Sequence, residues 1–258
     1  MKLKRIQEIE AYIHANGSAS INELCEKFNV SKNTIRRDIN KILESGTIKK
    51  VYGGVASLSN QLQPYEYRHT SHAKEKMAIG KAAAEEIEDH DLIYIDSGTT
   101  TSCIGDFFDP EKHVTIITNN LNIINKAAEL SNYELILIGM TYKHTTQSFV
   151  NVESWDYFKR INITKSFMAA TGISIERGVT NSDLMEYDIK RRIVEKADKN
   201  ILLIDHSKFD KAALITYASI GHFNQIITSD TVPENYKEYC RKNNINIKYA
   251  TENLNVGK

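Results

Sequence analysis

The chain has 258 residues, of which 41% are apolar and 26% charged, and its formal net charge at pH 7 is zero. That length fits one large domain, or a small domain joined to a medium one, with enough apolar residues for a substantial core. No apolar run approaches membrane-spanning length and the first residues lack a signal-peptide segment, so we expect a cytoplasmic protein with no membrane contact.

The charge is distributed unevenly along the chain. Residues 1–58 contain ten Lys/Arg and six Asp/Glu, a net charge of +4, which leaves −4 for the remainder. A basic N-terminal segment, the head, followed by an acidic remainder suggests that the head binds a polyanion. The three cysteines lie far apart, with no CxxC pair and no His at ligand spacing: Cys25, Cys103 and Cys240. We therefore expect reduced cysteines and no disulfide, metal or cofactor.

Two helices are predicted in the first 30 residues. Apolar residues at helical spacing indicate a helix that ends at Asn16-Gly17. "SINEL" then predicts a capping box, in which Ser20 and Glu23 cap each other at the start of a second helix. The residues that give these helices their apolar faces are Leu3, Ile6, Ile9, Ile13, Leu24 and Phe28.

A third helix is predicted in "KNTIRRDINKILESG", with Ser31 as its N-cap and Gly46 at its end. Ile35, Ile39, Ile42 and Leu43 would face inward, which leaves Lys32, Asn33, Arg36, Arg37 and Asn40 outside. These outward side chains suit a DNA duplex, because Arg pairs with guanine, Asn with adenine and Lys with phosphate. A solvated basic helix face is the alternative.

The following "TIKKVYGGVASL" predicts a β-hairpin that turns at Gly53-Gly54 and has Lys49 and Lys50 at its edge. A helix, a short turn and a second helix form a helix-turn-helix unit, and the hairpin would be its wing. This combination favours DNA binding over the solvated face.

The stretch "VSKNTIRRDINKILESGTIKKVYGGV" closely resembles the DNA-binding head of DeoR-family regulators, in which a T-[IV]-R-R-D-[LI] helix and a Gly-Gly wing recur together. The resemblance places Thr34, Arg36 and Arg37 at the DNA surface, and implies that Asp38 orients a neighbouring arginine. The complete predicted DNA-binding set is Ser31, Lys32, Asn33, Thr34, Arg36, Arg37, Asn40, Lys49, Lys50, Tyr52, Gly53 and Gly54.

Beyond the head we predict a linker and one α/β domain. The polar "SNQLQP" opens the linker, so the predicted divisions are 1–58, 59–74 and 75–258. Strand-like runs then alternate with helical patterns, which indicates a mainly parallel sheet. The predicted strands are "DLIYI", "VTIIT", "ELILIG", "KSFMAA", "NILLI", "QIITS" and "INIKYA".

Polar clusters follow four of these strands: "DSGTTT", "NN", "TGIS" and "DHSKFD". Ligands of such sheets lie outside the carboxyl ends of the strands, although each cluster alone is also typical of ordinary turns. In "DSGTTT", Gly98 would allow close approach of an anion to the N–H groups of residues 99–101. There is no Walker lysine and no spaced glycine series, so a small phosphate ester fits better than a nucleotide, with Lys208 as the compensating cation. A capped helix start without a ligand is the alternative.

These clusters also resemble the successive motifs of the DeoR-family sensor domain, which is similar in fold to ribose-5-phosphate isomerase and senses phosphorylated sugars. "SKNTIRRDINK", "EDHDLIYIDSGTTT" and "TNSDLMEYDIK" resemble the subfamily that represses myo-inositol catabolism operons, which implies a phosphorylated keto-sugar-acid effector. Glu186 and Lys190 match a family pattern and could form a salt bridge with each other. The effector contacts implied by the resemblance are Asp96, Ser97, Gly98, Thr99, Thr100, Thr118, Asn119 and Lys208.

A sugar-phosphate isomerase with a DNA-binding appendage is the alternative function. Isomerisation needs a positioned carboxylate, and the isomerases carry a D-G-x-D arrangement where this chain has "ATGISIERG". Glu176 lies too close to a turn, and Asp205 beside Lys208 is better placed to bind a sugar hydroxyl. We therefore expect a repressor that is not an enzyme. It would bind operator DNA as a homo-oligomer, a dimer or a tetramer, and be released by a phosphorylated sugar-type effector.

Overall fold

A computed structural model describes residues 2–16, 18–44, 47–51, 53–57, 65–229 and 231–251. The chain divides into two compact units, Met1–Gln63 and Pro64–Lys258. We call them the head unit and the sensor unit. Within the described residues, no helix is both long enough and apolar enough to cross a membrane.

The described residues of the head unit form three helices and a three-stranded sheet. The capping box at Ser20 and Glu23 is present, so the second helix begins as predicted. One side of each helix is buried in a shared core that includes Ile9, Leu24 and Ile35. The elements are α1 (Lys2–Asn16), β1 (Ser18–Ser20), α2 (Ile21–Phe28), α3 (Lys32–Glu44), β2 (Ile48–Val51) and β3 (Gly54–Ser57).

The wing differs from the prediction in two respects. Gly54 already pairs with Val51, so the turn precedes Gly54 rather than including it; Gly53 has φ +79°, and Tyr52 lies outside the described residues. Strand β1, which the sequence pattern did not reveal, pairs antiparallel with β3. A Cβ atom on Gly54 would lie 2.2 Å from the Ala19 carbonyl oxygen, so this glycine is required by the close approach of β1.

The sensor unit is built on a seven-stranded sheet in which every neighbouring pair is parallel. All seven predicted strands belong to it, which confirms the predicted α/β class. Its strands are β4 (Leu92–Ile95), β5 (Val114–Thr118), β6 (Tyr133–Leu137), β9 (Lys165–Ala169), β12 (Lys199–Leu203), β14 (Gln225–Thr228) and β15 (Asn246–Tyr249). The order across the sheet is β15-β14-β12-β9-β4-β5-β6.

Both faces of this sheet are covered, as its continuous apolar strands require. Tyr94 packs into the core on one face, while Ile93 and Ile95 pack into the core on the other. The helices of the unit are α4 (Tyr65–Thr70), α5 (Ala73–Ala84), α6 (Thr99–Ser102), α7 (Leu121–Ala127), α8 (Leu184–Lys196) and α9 (Glu234–Lys242).

Three features of the sensor unit were not predicted. Residues 65–70, which we assigned to the linker, form α4, because Tyr65 is buried and its hydroxyl donates to Ser102 Oγ at 2.7 Å. The region of "TGIS" forms a second, antiparallel sheet with order β10-β11-β13. A short antiparallel hairpin, β7 with β8, precedes β9. These strands are β7 (Thr141–Lys143), β8 (Ser148–Val150), β10 (Gly172–Ser174), β11 (Gly178–Asn181) and β13 (Ile215–Ala218).

Candidate DNA-binding surface and effector site

Helix α3 presents its basic side chains because its apolar side chains are held in the head-unit core. Ile35, Ile39 and Ile42 are buried on its inner side. At its start, the Ser31 hydroxyl accepts the Thr34 N–H at 3.4 Å and lies 3.0 Å from Thr34 Oγ1, so both side chains are engaged in the N-terminal turn. Their contact with DNA therefore remains a prediction that competes with capping.

The outer side of α3 carries five exposed polar side chains, and none of them makes a hydrogen bond or ion pair with a described residue: Lys32, Asn33, Arg36, Arg37 and Asn40. Lys49 and Lys50 of β2 are also exposed and lack such partners. Basic side chains that are held at the surface without internal partners can bind phosphate and base edges without first breaking a protein contact.

Asp38 is the exception on this helix, because it is fully buried. Its Oδ2 accepts a hydrogen bond from Arg5 Nε of α1 at 2.8 Å. The arginine that Asp38 orients is therefore Arg5, 33 residues earlier in the chain, and not Arg36 or Arg37. This ion pair joins α1 to α3 and keeps the carboxylate off the exposed basic side.

In the sensor unit, the "DSGTTT" loop leaves the carboxyl end of β4. Asp96 is buried, and its Oδ2 accepts the Ala169 N–H at 2.9 Å and an ion-paired hydrogen bond from Lys190 Nζ. The Asp96 Oδ1 atom is buried without a hydrogen-bond partner. Asp96, predicted to contact the effector, is thus engaged in holding the loop to β9 and α8.

Glu186 holds the other side of the same loop. Its Oε1 accepts from Ser97 Oγ at 2.9 Å and from Ser148 Oγ at 3.0 Å, and its Oε2 accepts from Asn181 Nδ2 at 3.0 Å. Glu186 and Lys190 therefore do not form the salt bridge with each other that their spacing allowed. Each reaches from α8 to a different residue of the loop.

Packing alone requires a glycine at position 98, and its contact with an effector stays a prediction. Its backbone is extended, with φ −74° and ψ 155°, which any residue can adopt. A Cβ atom at this position would lie 2.2 Å from Ala169 Cβ. The missing side chain lets the loop lie directly on the end of β9.

We expect the Gly98→Ala variant to lower the free energy of unfolding of the sensor unit by about 1–3 kcal/mol, as overpacking does. Urea unfolding measures this change in the free energy of unfolding. Gly221→Ala is the matched control, because a Cβ atom there meets only Ser219 Oγ, at 3.8 Å. Adding Ala169→Gly to Gly98→Ala should restore most of the loss, and a Gly98→Ala variant as stable as the control would contradict the packing argument.

Thr118 and Asn119 are also engaged inside the protein. Thr118 Oγ1 donates to the Ile95 carbonyl at 2.6 Å and accepts the Asn120 N–H at 3.0 Å. The amide of Asn119 accepts from Tyr94 OH and donates to the Phe149 carbonyl, both at 3.0 Å. Both residues are buried, so their effector contacts stay a prediction that competes with these internal contacts.

The backbone N–H groups of this buried loop are the groups that its internal contacts leave unpaired. Five consecutive N–H groups, those of residues 97–101, donate to no acceptor among the described residues. Thr99 and Thr100 likewise make no side-chain hydrogen bond there, whereas Thr101 Oγ1 donates to the Asp96 and Gly98 carbonyls. Unpaired N–H groups at the start of a helical turn attract an anion.

A cluster of lysines surrounds Asp205 after β12. Asp205 is fully buried, and its Oδ2 has no hydrogen-bond partner among the residues that the structure describes and lies 3.9 Å from Lys208 Nζ. Burial alone would raise the pKa of Asp205, but Lys208, a hydrogen bond from Ser207, and Lys76 together lower it. Burial lowers the pKa of Lys76 to about 8 despite the attraction of Asp205. Burial, and then the charge of Lys208, lower the pKa of Lys211.

This cluster holds more cations than anions, which favours an anionic ligand. Lys208 was predicted from the sequence, and its side chain is 25% exposed. Lys76 and Lys211 were missed because each lies outside the strand-end motifs. For Lys76, its place on the inner side of an Ala-rich helix was a signal that could have found it.

The comparisons with known proteins agree with this division of the chain. Residues 5–61 match the family model described as "DeoR-like helix-turn-helix domain", and residues 71–230 match "DeoR C terminal sensor domain". The chain is 52% identical over 97% of its length to the "HTH-type transcriptional regulator IolR" of Bacillus subtilis (strain 168), whose whole length is covered. It is 28% identical to the "Glycerol-3-phosphate regulon repressor" of Escherichia coli (strain K12), over 86% of this chain and 88% of that one.

Among solved structures, the chain is similar to ribose 5-phosphate isomerase A from Methanocaldococcus jannaschii, with 14% identity, a TM-score of 0.39, and coverage of 54% of this chain and 55% of that chain. The two family matches and the 52% identity decide the assignment. This chain belongs to the DeoR family of helix-turn-helix transcriptional regulators, and it is a regulator rather than an enzyme.

Proposed function

We propose that this protein is a cytoplasmic repressor of a sugar or inositol catabolism operon, and that a phosphorylated sugar or keto-sugar-acid intermediate releases it from its operator. The head unit supplies the DNA-binding face, through the unpaired side chains of α3 and β2. The 52% identity to a B. subtilis regulator named IolR supports the inositol assignment within the family.

The observation that carries the effector proposal is the row of five unpaired N–H groups at residues 97–101. These groups lie at the carboxyl end of β4, the edge at which parallel sheets bind ligands. A phosphate group would accept several of them at once, because it offers several oxygens and a negative charge. Asp205 and Lys208 follow the carboxyl end of β12, and we assign them to a hydroxyl and to an acidic group of the same effector.

The proposed mechanism is a shift between two states of a homo-oligomer. One head unit covers only a half-site, so specific binding requires at least two copies, with half-sites about 34 Å or a multiple apart. The effector changes DNA affinity only by binding these states unequally. A 100-fold release requires about 2.7 kcal/mol of coupling between the effector site and the DNA-binding surface.

The test is DNA binding by the full-length protein at fixed salt, with DNA from upstream of its operon and a panel of sugar phosphates and keto-acid phosphates. We expect one phosphorylated compound to release the DNA. The Lys208→Ala variant should bind DNA equally well but need at least about tenfold more effector, because its compensating charge is lost. Lys237→Ala, which removes a partly exposed lysine of α9 that pairs with Glu234, is the control. Normal release of Lys208→Ala would contradict the proposed site.

A further inference from the structure

A second group of ligand-type side chains lies in the sensor unit, and the effector proposal does not use it. His72 immediately precedes α5, Glu75 is in the first turn of that helix, and His206 begins a short 3-10 helix after β12. His206 Nδ1 lies 2.8 Å from Glu75 Oε2, and His72 Nδ1 lies 3.4 Å from Glu75 Oε1. Their ligand atoms all lie within 4.8 Å of one another.

This spacing approaches that of a metal site. Four ligands at about 2.1 Å from a tetrahedral zinc ion are about 3.4 Å from each other. The separation of 3.4 Å between His72 and Glu75 already fits, the 2.8 Å between His206 and Glu75 must widen, and the limit of 4.8 Å for the group exceeds the zinc spacing by about 1.4 Å. The side chains are 30%, 17% and 41% exposed for His72, Glu75 and His206. An ion can therefore enter from solvent and keep a water ligand.

The buried carboxylate of Asp205 adds a second negative charge beside this group. Asp205 directly precedes His206, is fully buried, and has one oxygen without a hydrogen-bond partner. Together with Glu75 it supplies two negative charges, which match those of a divalent ion. Lys76 and Lys208 also act on Asp205 and repel a cation, so both compete with the ion for that charge.

We propose that His72, Glu75 and His206 bind a divalent transition-metal ion of the zinc type. Two imidazoles and one carboxylate suit zinc and its neighbours better than magnesium or calcium, which prefer all-oxygen ligands. The sequence did not predict this site, because Glu75 and His206 are 131 residues apart. The ion would link the start of α5 to the loop after β12. This metal site goes beyond the proposed effector function.

The experiment is titration of the full-length, chelator-treated, tag-free protein with Zn²⁺ against a chromophoric chelator. Bound Co²⁺, read by its visible absorption, reports the coordination geometry. We expect one ion per chain. His206→Ala and Glu75→Gln should each weaken Zn²⁺ binding at least tenfold. Loss of a residue that only hydrogen-bonds to a metal ligand already lowers metal affinity by about that factor, and loss of the ligand itself should cost no less. Glu75→Gln keeps an acceptor for His206, so it separates loss of charge from loss of folding.

The control is His113→Ala. It alters the exposed group of His90, Asp89 and His113, in which two imidazoles also flank one carboxylate. The Lys208→Ala variant should bind Zn²⁺ more tightly, because it loses a repelling charge, and should respond less to effector. The metal proposal therefore predicts a gain in affinity for this variant, and the effector proposal predicts a loss. Absence of Zn²⁺ binding by the unmodified chain would overturn the site. Equal binding by His206→Ala and His113→Ala would overturn it as well and identify adventitious metal.

Discussion

Replacing Lys190 by Met will lower the free energy of unfolding of the sensor unit by about 3–5 kcal/mol, the cost of leaving a buried charge without its partner. Lys190 and Asp96 form an ion pair whose side chains are 3% and 1% exposed. The Asp96 carboxylate would keep the Ala169 N–H but lose the one cation that pairs with it among the described residues. Urea unfolding followed by fluorescence reports on this unit alone, because the chain's one tryptophan, Trp155, belongs to it.

Two further variants show whether the effect comes from the unpaired charge. Arg191→Ala, one residue along α8, removes exposed pairs with Glu195 and Asp188 and should cost less than about 1 kcal/mol. Asp96→Asn combined with Lys190→Met removes both charges and should recover much of the stability. If Lys190→Met matches the Arg191→Ala control, the buried pair is not what holds the loop to α8.

Replacing Arg36 by Ala will weaken specific operator binding by about 1–3 kcal/mol, roughly 5- to 150-fold, if its guanidinium reads a base pair. Arg36 is exposed on α3 and makes no hydrogen bond or ion pair with a described residue, so its removal should leave the head unit folded. The measurement is equilibrium binding to operator DNA and to a scrambled duplex of equal length, at one salt concentration.

The pattern of losses distinguishes a base contact from a phosphate contact. Loss at a base contact falls on the operator and spares the scrambled duplex, whereas Lys49→Ala should weaken both equally. Arg241→Ala removes an exposed arginine of α9 in the sensor unit and controls for net charge. A variant of Arg36 that binds the operator normally would remove α3 from the proposed recognition surface.

Strong local patterns made most of the fold predictable. The three helices of the head unit follow from apolar residues at helical spacing, and the capping box at Ser20 fixed the start of α2. The five inner strands of the seven-stranded sheet are almost entirely buried, as strands of a sheet covered on both faces are, whereas the edge strands β6 and β15 are partly exposed. The strands that were missed are short or polar, such as β1 with the sequence Ser-Ala-Ser. These segments form strands because other strands of the fold pair with them.

The candidate site was predictable in position but not in detail. The rule for parallel sheets located the loop at residues 96–101 from sequence alone. The roles of its side chains depended on α8, which approaches from about 90 residues later in the chain, as the separation of 89 between Ser97 and Glu186 shows. Gly98 illustrates the same limit, since its neighbour Ala169 is distant in sequence and carries no signal of its own.

Tyr65 links the candidate effector loop to α4, the first described element of the sensor unit. It is the second residue of the sensor unit, its hydroxyl donates to Ser102 at 2.7 Å, and the same oxygen accepts from Asn122 at 3.0 Å. Ser102 in turn lies at the end of α6, the turn that begins with the candidate anion-binding N–H groups. A displacement of α6 would therefore act on Tyr65 through the hydrogen bond between Tyr65 and Ser102, at the N-terminal end of the described part of the sensor unit.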